Sequence, residues 1–419
     1  MINKYILLFA LAFSLSAIAQ KQQASPYSFF GIGNEFPSKT VEESQMGGVG
    51  AAFSDPVHLS FSNPASLTGL RFTTYSIGGL NSQTTVSDGS NTQKSSVFSL
   101  SYLALGFPVG KKIGVSGGLR VKSGVGYDLT EGEISDPDGQ YVYDGFGGVN
   151  SLFFGAGYKL FNGFSIGIET AFNFGTLKNR ITQTQEDLQY QIRLKTESAI
   201  SGFDAKFGMH YYKKTSTKHG LNAGVVFLKS KNLTVDENSV LYNGFFNEDS
   251  ESVKSVLELA KTSGLVKKPL NTILSVGYGE FSKWQASLEY SFNNAMSFSG
   301  TALANNTENV TYTKYQRLSF GGYYIPKFNS LTSYFSRVIY RAGLRYVNEG
   351  MSIDGTEVKD FGITFGVGLP IGRGLSDLNI GFEYGKRGEI VSKLVEEKYF
   401  NLKVGLSLGD KWFRKRKID

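Results

Sequence analysis

The chain has 419 residues, 43 Lys and Arg against 36 Asp and Glu, and no cysteine, which excludes disulfides, thiolate chemistry and cysteine-held zinc. Gly is 50 residues, about 12 % against the usual roughly 7 %, and 33 Phe and 23 Tyr accompany it; small and aromatic residues together point to extensive sheet. The formal charge of +7 is unevenly placed: the tail from Lys411 to Asp419 holds five cations and one carboxylate, and without it and Lys4 the chain carries +2. A near-neutral body is not the footprint of a nucleic-acid binder.

In chain order, Lys4, the apolar run Ile6 to Ala17 and the small-x-small Ala17-Ile18-Ala19 read as a secretory leader over 1–19. No Cys follows it, so acylation at that point is not expected. Residues 20–70 then hold Ser25-Pro26-Tyr27, Phe29 to Gly33, and the small-residue stretch MGGVGAAFSDPVHLSFSNPASL from Met46 to Leu67. That stretch is too small-residued for a core helix and too apolar for a linker. Asn63-Pro64 is a turn signal within it.

From residue 71 onward period-2 alternation recurs. Phe164, Ile166, Ile168, Thr170, Phe172 and Phe174 share one face, against Ser165, Gly167, Glu169, Ala171, Asn173 and Gly175. Trp284 to Asn293 and Phe400 to Leu408 repeat the pattern. About fourteen strands are predicted, near 71–84, 94–107, 112–127, 148–160, 163–180, 197–213, 218–235, 268–280, 283–300, 311–325, 336–348, 357–370, 375–387 and 391–408. Runs of about 9–14 residues cross a bilayer at a tilt and exceed the usual sandwich strand of about 5–6. Aromatics at segment ends (Phe107, Tyr127, Tyr158, Phe161, Tyr278, Phe281, Trp284, Tyr346, Tyr384) are placed for interfacial girdles. Connections alternate between tight ones (108–111, 161–163, 280–282, 371–374) and long ones (128–147, 181–196, 236–267, 301–310), as in an all-β transmembrane antiparallel barrel. The expected organisation is a leader at 1–19, an N-terminal plug at 20–70, a barrel at 71–408 and a basic periplasmic tail at 409–419. Within 236–267, Val253, Val256, Leu257 and Ala260 make one helical stripe, so a short surface helix is expected there.

Chemistry-bearing signals are sparse. Ser116 sits in a formal G-x-S-x-G, but inside an alternating strand with no helix after it, so the strand-to-helix elbow such a nucleophile needs is missing. His58, His210 and His219 show no dyad or metal spacing, and each reads as structural. No catalytic residue, metal or cofactor is assigned. The charges Arg120, Lys122, Glu169, Asp204, Lys206, Glu289, Arg317, Arg341, Arg345, Glu383 and Lys403 fall on polar strand faces. Ionisable groups there must be paired or wet, and two roles stay open: salt bridges across the lumen, or binding of a ligand headgroup.

Met46-Gly47-Gly48-Val49-Gly50-Ala51-Ala52-Phe53, followed by Asp55 and Asn63-Pro64-Ala65-Ser66-Leu67, resembles the hatch of the FadL/TodX-like outer-membrane transporters of hydrophobic compounds. Gly50, Ala52, Asp55 and Asn63-Pro64-Ala65 match that family's hatch pattern. The resemblance implies a cell outer-membrane barrel, not an enzyme, that admits small hydrophobic molecules such as fatty acids or aromatic hydrocarbons by diffusion past a hatch. Asn63, Pro64, Ala65, Gly50 and Asp55 would serve in gating. It also implies a lateral opening at the third strand, where Gly117, Gly118, Gly124 and Gly126 lie; packing of the hatch on a smooth Gly wall is the other role open to them. Among the luminal charges, Arg120, Lys122, Glu169, Glu289, Arg345 and Glu383 are the principal candidates. The expected partners are outer-membrane lipid and a hydrophobic ligand, and the chain is open to being a monomer or to holding a protein partner. The alternative is a non-transporting barrel that acts as a subunit of secretion or surface-attachment machinery.

Overall fold

A computed structural model describes residues 24–410, except 187, 247–250, 281, 302, 304–309, 373–374 and 392–393. The expected leader and all but two residues of the expected tail lie outside the described residues, as does Phe281. Among the described residues, fourteen strands form the wall: β1 (Thr73–Ser87), β2 (Thr92–Val109), β3 (Ile113–Glu131), β4 (Gln140–Phe161), β5 (Phe164–Thr184), β6 (Gln191–Lys214), β7 (His219–Ser230), β8 (Asn271–Glu280), β9 (Trp284–Asn293), β10 (Val310–Tyr324), β11 (Ile339–Ile353), β12 (Thr356–Ile371), β13 (Ser376–Arg387) and β14 (Glu396–Asp410). Each pairs antiparallel with its neighbour. β14 returns to β1, from Asp410 opposite Thr73 to Glu396 opposite Ser87, and closes the ring.

Successive side chains of a strand face opposite sides of the sheet, so the alternation in sequence becomes an apolar exterior and a polar interior. On β5, Ile168 is 54 % exposed and Glu169 5 %; on β9, Leu288 is 45 % exposed and Glu289 4 %. A closed sheet also satisfies its backbone internally, which the hydrocarbon of a bilayer requires. The protein is therefore an outer-membrane β-barrel. Tyr158, Phe161, Tyr278, Tyr346 and Tyr384 are outward and exposed, as girdle residues are. Tyr127 is not one of them: it points inward, donates from its hydroxyl to Asn179 Oδ1 at 2.9 Å and packs edge-on against Phe29. A strand end carries aromatics on both faces, and only the side-chain parity decides which.

At one end of the barrel five connections are short, at 110–112, 162–163, 215–218, 281–283 and 372–375; the exception is 325–338. Two of the expected long loops are largely strand. β4 and β5 pair out to Gln140 opposite Thr184, so parts of 128–147 and 181–196 lengthen the wall at the end opposite the short connections. Among the described residues of 236–267 there is no helix, against the expectation. The segment forms strands Leu233–Phe246, Glu251–Glu258 and Thr262–Lys267, with Val253 opposite Gly244 and Val256 opposite Tyr242. The upper half of β6 pairs with 234–244 and supplies a template, so tertiary pairing overrides a weak helical stripe.

Two features of the wall position the interior. First, β2 and β3 pair only over Tyr102–Val109 and Ile113–Arg120. Beyond that point β2 stays with β1 and β3 with β4, and the wall splits. Second, glycines face inward where residues 41–70 cross the lumen. Gly114, Gly157, Gly167 and Gly208 lie directly opposite one another across β3 to β6. A methyl on them would collide with Leu67 O, Pro64 O, the Pro64-Ala65 peptide and Asn63 respectively. Gly224 is closed off in the same way by Ala51 O, the pair Gly321 and Gly343 by Met46 and Gly47, the pair Gly366 and Gly381 by Gln45, and Gly405 by Val41.

Replacing one of these seats should unseat the segment that rests on it. Gly167→Val forces a branched side chain into the Pro64-Ala65 peptide, an overpacking cost of about 1–3 kcal/mol. Its heat-modifiability transition should fall below that of the parent protein. Gly79→Val, whose new Cβ meets nothing nearer than Phe98 and the Ser99 carbonyl at 3.6 Å, should leave the transition in place.

Candidate functional site

The small-residue stretch folds inside the barrel. Val41–Ser44 is one turn of helix with a reciprocal capping box: Glu43 N donates to Thr40 Oγ1 at 3.3 Å and Thr40 N to Glu43 Oε2 at 2.9 Å. The chain then reverses through Gly47 and Gly48, both at positive φ (67° and 81°), a conformation that costs glycine little. Gly50 is required for space, because a Cβ would lie 2.5 Å from Glu43 Oε1. Asn63 caps the 3-10 helix Pro64–Gly69 by accepting from Ala65 N at 3.0 Å, with Pro64 in its first turn. The Asn63 amide also donates to Ala51 O at 2.8 Å and to Met209 O of β6 at 2.9 Å. Asn63 thus ties the two halves of the stretch to each other and to the wall. Asp55 folds the loop between them by accepting from Val57 N and His58 N at 2.7 and 2.9 Å.

The luminal charges grip this segment. Glu289 accepts from Lys39 Nζ at 2.6 Å and from the amides of Gly50 and Ala51 at 2.9 and 2.8 Å. Arg317 donates to Gly47 O at 2.9 Å, Lys206 to Phe61 O at 2.8 Å and Arg341 to Gln45 Oε1 at 3.0 Å. Glu42 accepts from Asn379 and Ser407, at 3.0 and 2.6 Å. His58 Nε2 lies 2.6 Å from Asp377 Oδ2 and its Nδ1 3.1 Å from Asp55. Burial works against a charged imidazole there, but the two carboxylates outweigh it and hold the His58 pKa well above its usual value. Other charges pair along the wall: Glu169 with Arg120 at 2.5 Å and Lys206 at 3.0 Å, and Glu383 with Arg345 and Lys403 at 2.9 and 2.6 Å. Lys122 pairs with Asp204.

Residues 24–36 make a second layer nearer the long-connection end. Ile32 enters a cluster with Val125, Val149, Leu177, Ile200, Leu233 and Val266. Tyr27 enters another with Met351, Ile353, Val358 and Leu394, and donates to Val395 O at 2.5 Å. Between the layers lies a chamber of about 410 Å³. Phe30, Ile32, Phe61 and Met351 contribute apolar surface, but Lys39, Lys122, Lys206, Asp204, Glu289, Arg345, Glu383 and Lys403 are also in its wall. Arg120 Nη1 and Asp204 Oδ1, on lining residues, are themselves buried without a hydrogen-bond partner in the protein.

Gly124 and Gly126 lie beyond the split between β2 and β3, Gly117 and Gly118 below it. The freed edge of β3 is taken by the N-terminal segment: Asn34 pairs opposite Gly124, and Ser25 N donates to Gly126 O at 2.8 Å. Gly118 is enclosed by the β2 backbone at Leu103 and Ala104. Ser99 and Ser101 of β2 and Val121 of β3, on either side of the split, line the chamber. Ser116 is buried in mid-strand, and His210 lies 3.2 Å from Ala52 O. The hatch-side charges Lys39, Glu42 and Glu43 and the wall carboxylates Asp360 and Asp377 join the site without having been expected from the sequence. For the wall pair, strand parity is the signal: Asp360 shares a face with Thr364 and Gly366, and Asp377 with Asn379 and Gly381.

No curated protein is similar to the chain by sequence. Among solved structures, the CymD monoaromatic hydrocarbon channel matches with a TM-score of 0.59 at 13 % identity, over 89 % of this chain and 98 % of that one. The Pseudomonas putida toluene transporter TodX gives 0.59 at 14 %, over 89 % and 98 %. A Pseudomonas aeruginosa FadL homologue gives 0.56 at 12 %, over 90 % and 98 %. Identities this low establish a shared fold. The family model described as BamG matches residues 1–419.

Glu289→Ala should loosen the plug more than any wall substitution that leaves the hatch contacts intact. It strands Lys39 and two amides in a buried site, a cost of about 3–5 kcal/mol, and should raise ion conductance of the barrel in planar bilayers. The His58 contact predicts a pH effect of one sign. Its contribution is present at neutral pH and is lost as pH rises through the raised pKa, so parent and His58→Asn should converge in heat-modifiability only at alkaline pH.

Proposed function

The chain belongs to the BamG family, and we propose that it works as a closed barrel: a non-transporting subunit of a larger outer-membrane protein complex. The observation that carries this reading is the use made of the luminal charges. Glu289, Arg317, Arg341, Lys206 and Asp377 are engaged by the hatch, so shifting it would break several buried charge contacts at once. A passive route for hydrophobic molecules needs an apolar path from the outer face to the hatch. The chamber instead brings both cations and carboxylates to its wall, and desolvating such groups against an apolar ligand is costly. What the barrel offers a partner is its exterior and its wall extensions, such as 233–267.

Passive uptake of a hydrophobic compound, with Asn63-Pro64-Ala65 as the gate, is the second reading. It is favoured by the fold shared with hydrocarbon channels and by the split between β2 and β3, which brings the chamber wall to an interrupted seam.

Extraction in mild detergent followed by native mass spectrometry separates the two. The closed-barrel reading predicts a stoichiometric protein partner and no enriched hydrophobic small molecule. A partner-free barrel carrying a hydrocarbon or fatty acid would favour uptake. Pro64→Ala should correspondingly leave hydrophobic-compound uptake by cells unchanged.

A further inference from the structure

Five connections at the short-turn end span two to four residues, but 325–338 between β10 and β11 spans fourteen. It is folded. Ile325 and Val338 are buried at its root, Lys327 N donates to Ser336 O at 2.7 Å, and Ser333 N donates to Ser330 Oγ at 3.2 Å. The Tyr334 hydroxyl donates to Pro370 O of β12 at 3.2 Å, which fixes the segment under the neighbouring strand. This ordered structure nevertheless presents Leu331 at 100 % exposure, Phe335 at 73 % and Phe328 at 56 %, beside an exposed Tyr334. Four large apolar side chains within eight residues are not the composition of a solvated turn.

We propose that 325–338 is a membrane foot, seated in the headgroup and upper acyl region of the periplasm-facing phospholipid leaflet with a preference for anionic headgroups. The segment grows from Tyr324 and Tyr340, which face outward at the barrel's rim and are themselves exposed, so its apolar side chains continue the lipid-facing belt. It carries Lys327 and Arg337 and no carboxylate. The Arg337 guanidinium lies 5.5 Å from the Tyr334 ring centre, joining cation to aromatic as interfacial segments do. The same charge disfavours a second copy as occupant, since two feet would bring cations together with no acid between them. An anionic lipid surface is complementary to it. The inference does not depend on whether the lumen transports.

The chain has no cysteine, so Leu331→Cys and Phe335→Cys each accept a single nitroxide label. The probe is full-length protein in vesicles of phosphatidylethanolamine with phosphatidylglycerol, with collision by oxygen compared against a water-soluble nickel complex. Leu344→Cys on the outer face of β11 is the lipid control, and Ser216→Cys in a tight turn the water control. Both foot labels should be open to oxygen and shielded from nickel, like the Leu344 label. Labels that follow Ser216 overturn the proposal, also when they become shielded only in the presence of a protein partner. Lys327→Gln with Arg337→Gln should shift the labels toward nickel access in anionic vesicles and not in phosphatidylcholine; no such difference overturns the anionic preference.

Discussion

The lumen of a fourteen-strand barrel is too wide for its own wall side chains to fill, so something else must occupy it. Here a backbone does. Residues 41–70 cross the lumen with peptide groups in van der Waals contact with the wall, and at the points of closest approach an inward Cβ would forbid that. The glycines at 114, 157, 167 and 208, opposite one another on four consecutive strands, clear the way. The high glycine content belongs to the wall as much as to the plug, because the approach is mutual: Gly343 of the wall receives Gly47 of the plug.

Close approach by itself fixes position weakly, since a smooth surface permits sliding. Charge supplies the register. Glu289 receives a lysine and two consecutive amides, an anion held by main-chain donors, and Arg317 returns the interaction from β10 to a hatch carbonyl. Such groups are expensive to bury and expensive to strand, so they penalise any displaced arrangement of the hatch. The same contacts that seat the plug thereby discourage its movement. On the closed-barrel proposal, a fold shared with hydrocarbon channels is held shut by chemistry that an apolar solute would have to disrupt.

Much of this was legible in sequence. Strand parity placed Glu169, Glu289 and Arg345 inside and Ile168 and Leu288 outside, and the strand number followed from counting alternating runs. Asn63-Pro64-Ala65 was legible as a turn because its conformational constraints are local. Three features were not. Val253, Val256, Leu257 and Ala260 make a helical stripe, and pairing with 240–246 draws all of it but Ala260 into a strand. Tyr127 stood at a segment end, yet one step of parity turned it inward. The hatch partners of the luminal charges are remote in sequence, as Lys39 is from Glu289 and Gly47 from Arg317, so sequence could show that a charge was inside but not what it held.

The central claim is that the hatch is as firmly closed as the wall that holds it. Hydrogen exchange of the intact barrel, read by mass spectrometry at the peptides covering Gly47 to Leu67, tests it directly. The account predicts that the Gly50 and Ala51 amides bound to Glu289 exchange as slowly as those of β9 and β10. Exchange of the hatch amides well ahead of those strands, under conditions where the barrel stays folded, would show a hatch that opens and would contradict it.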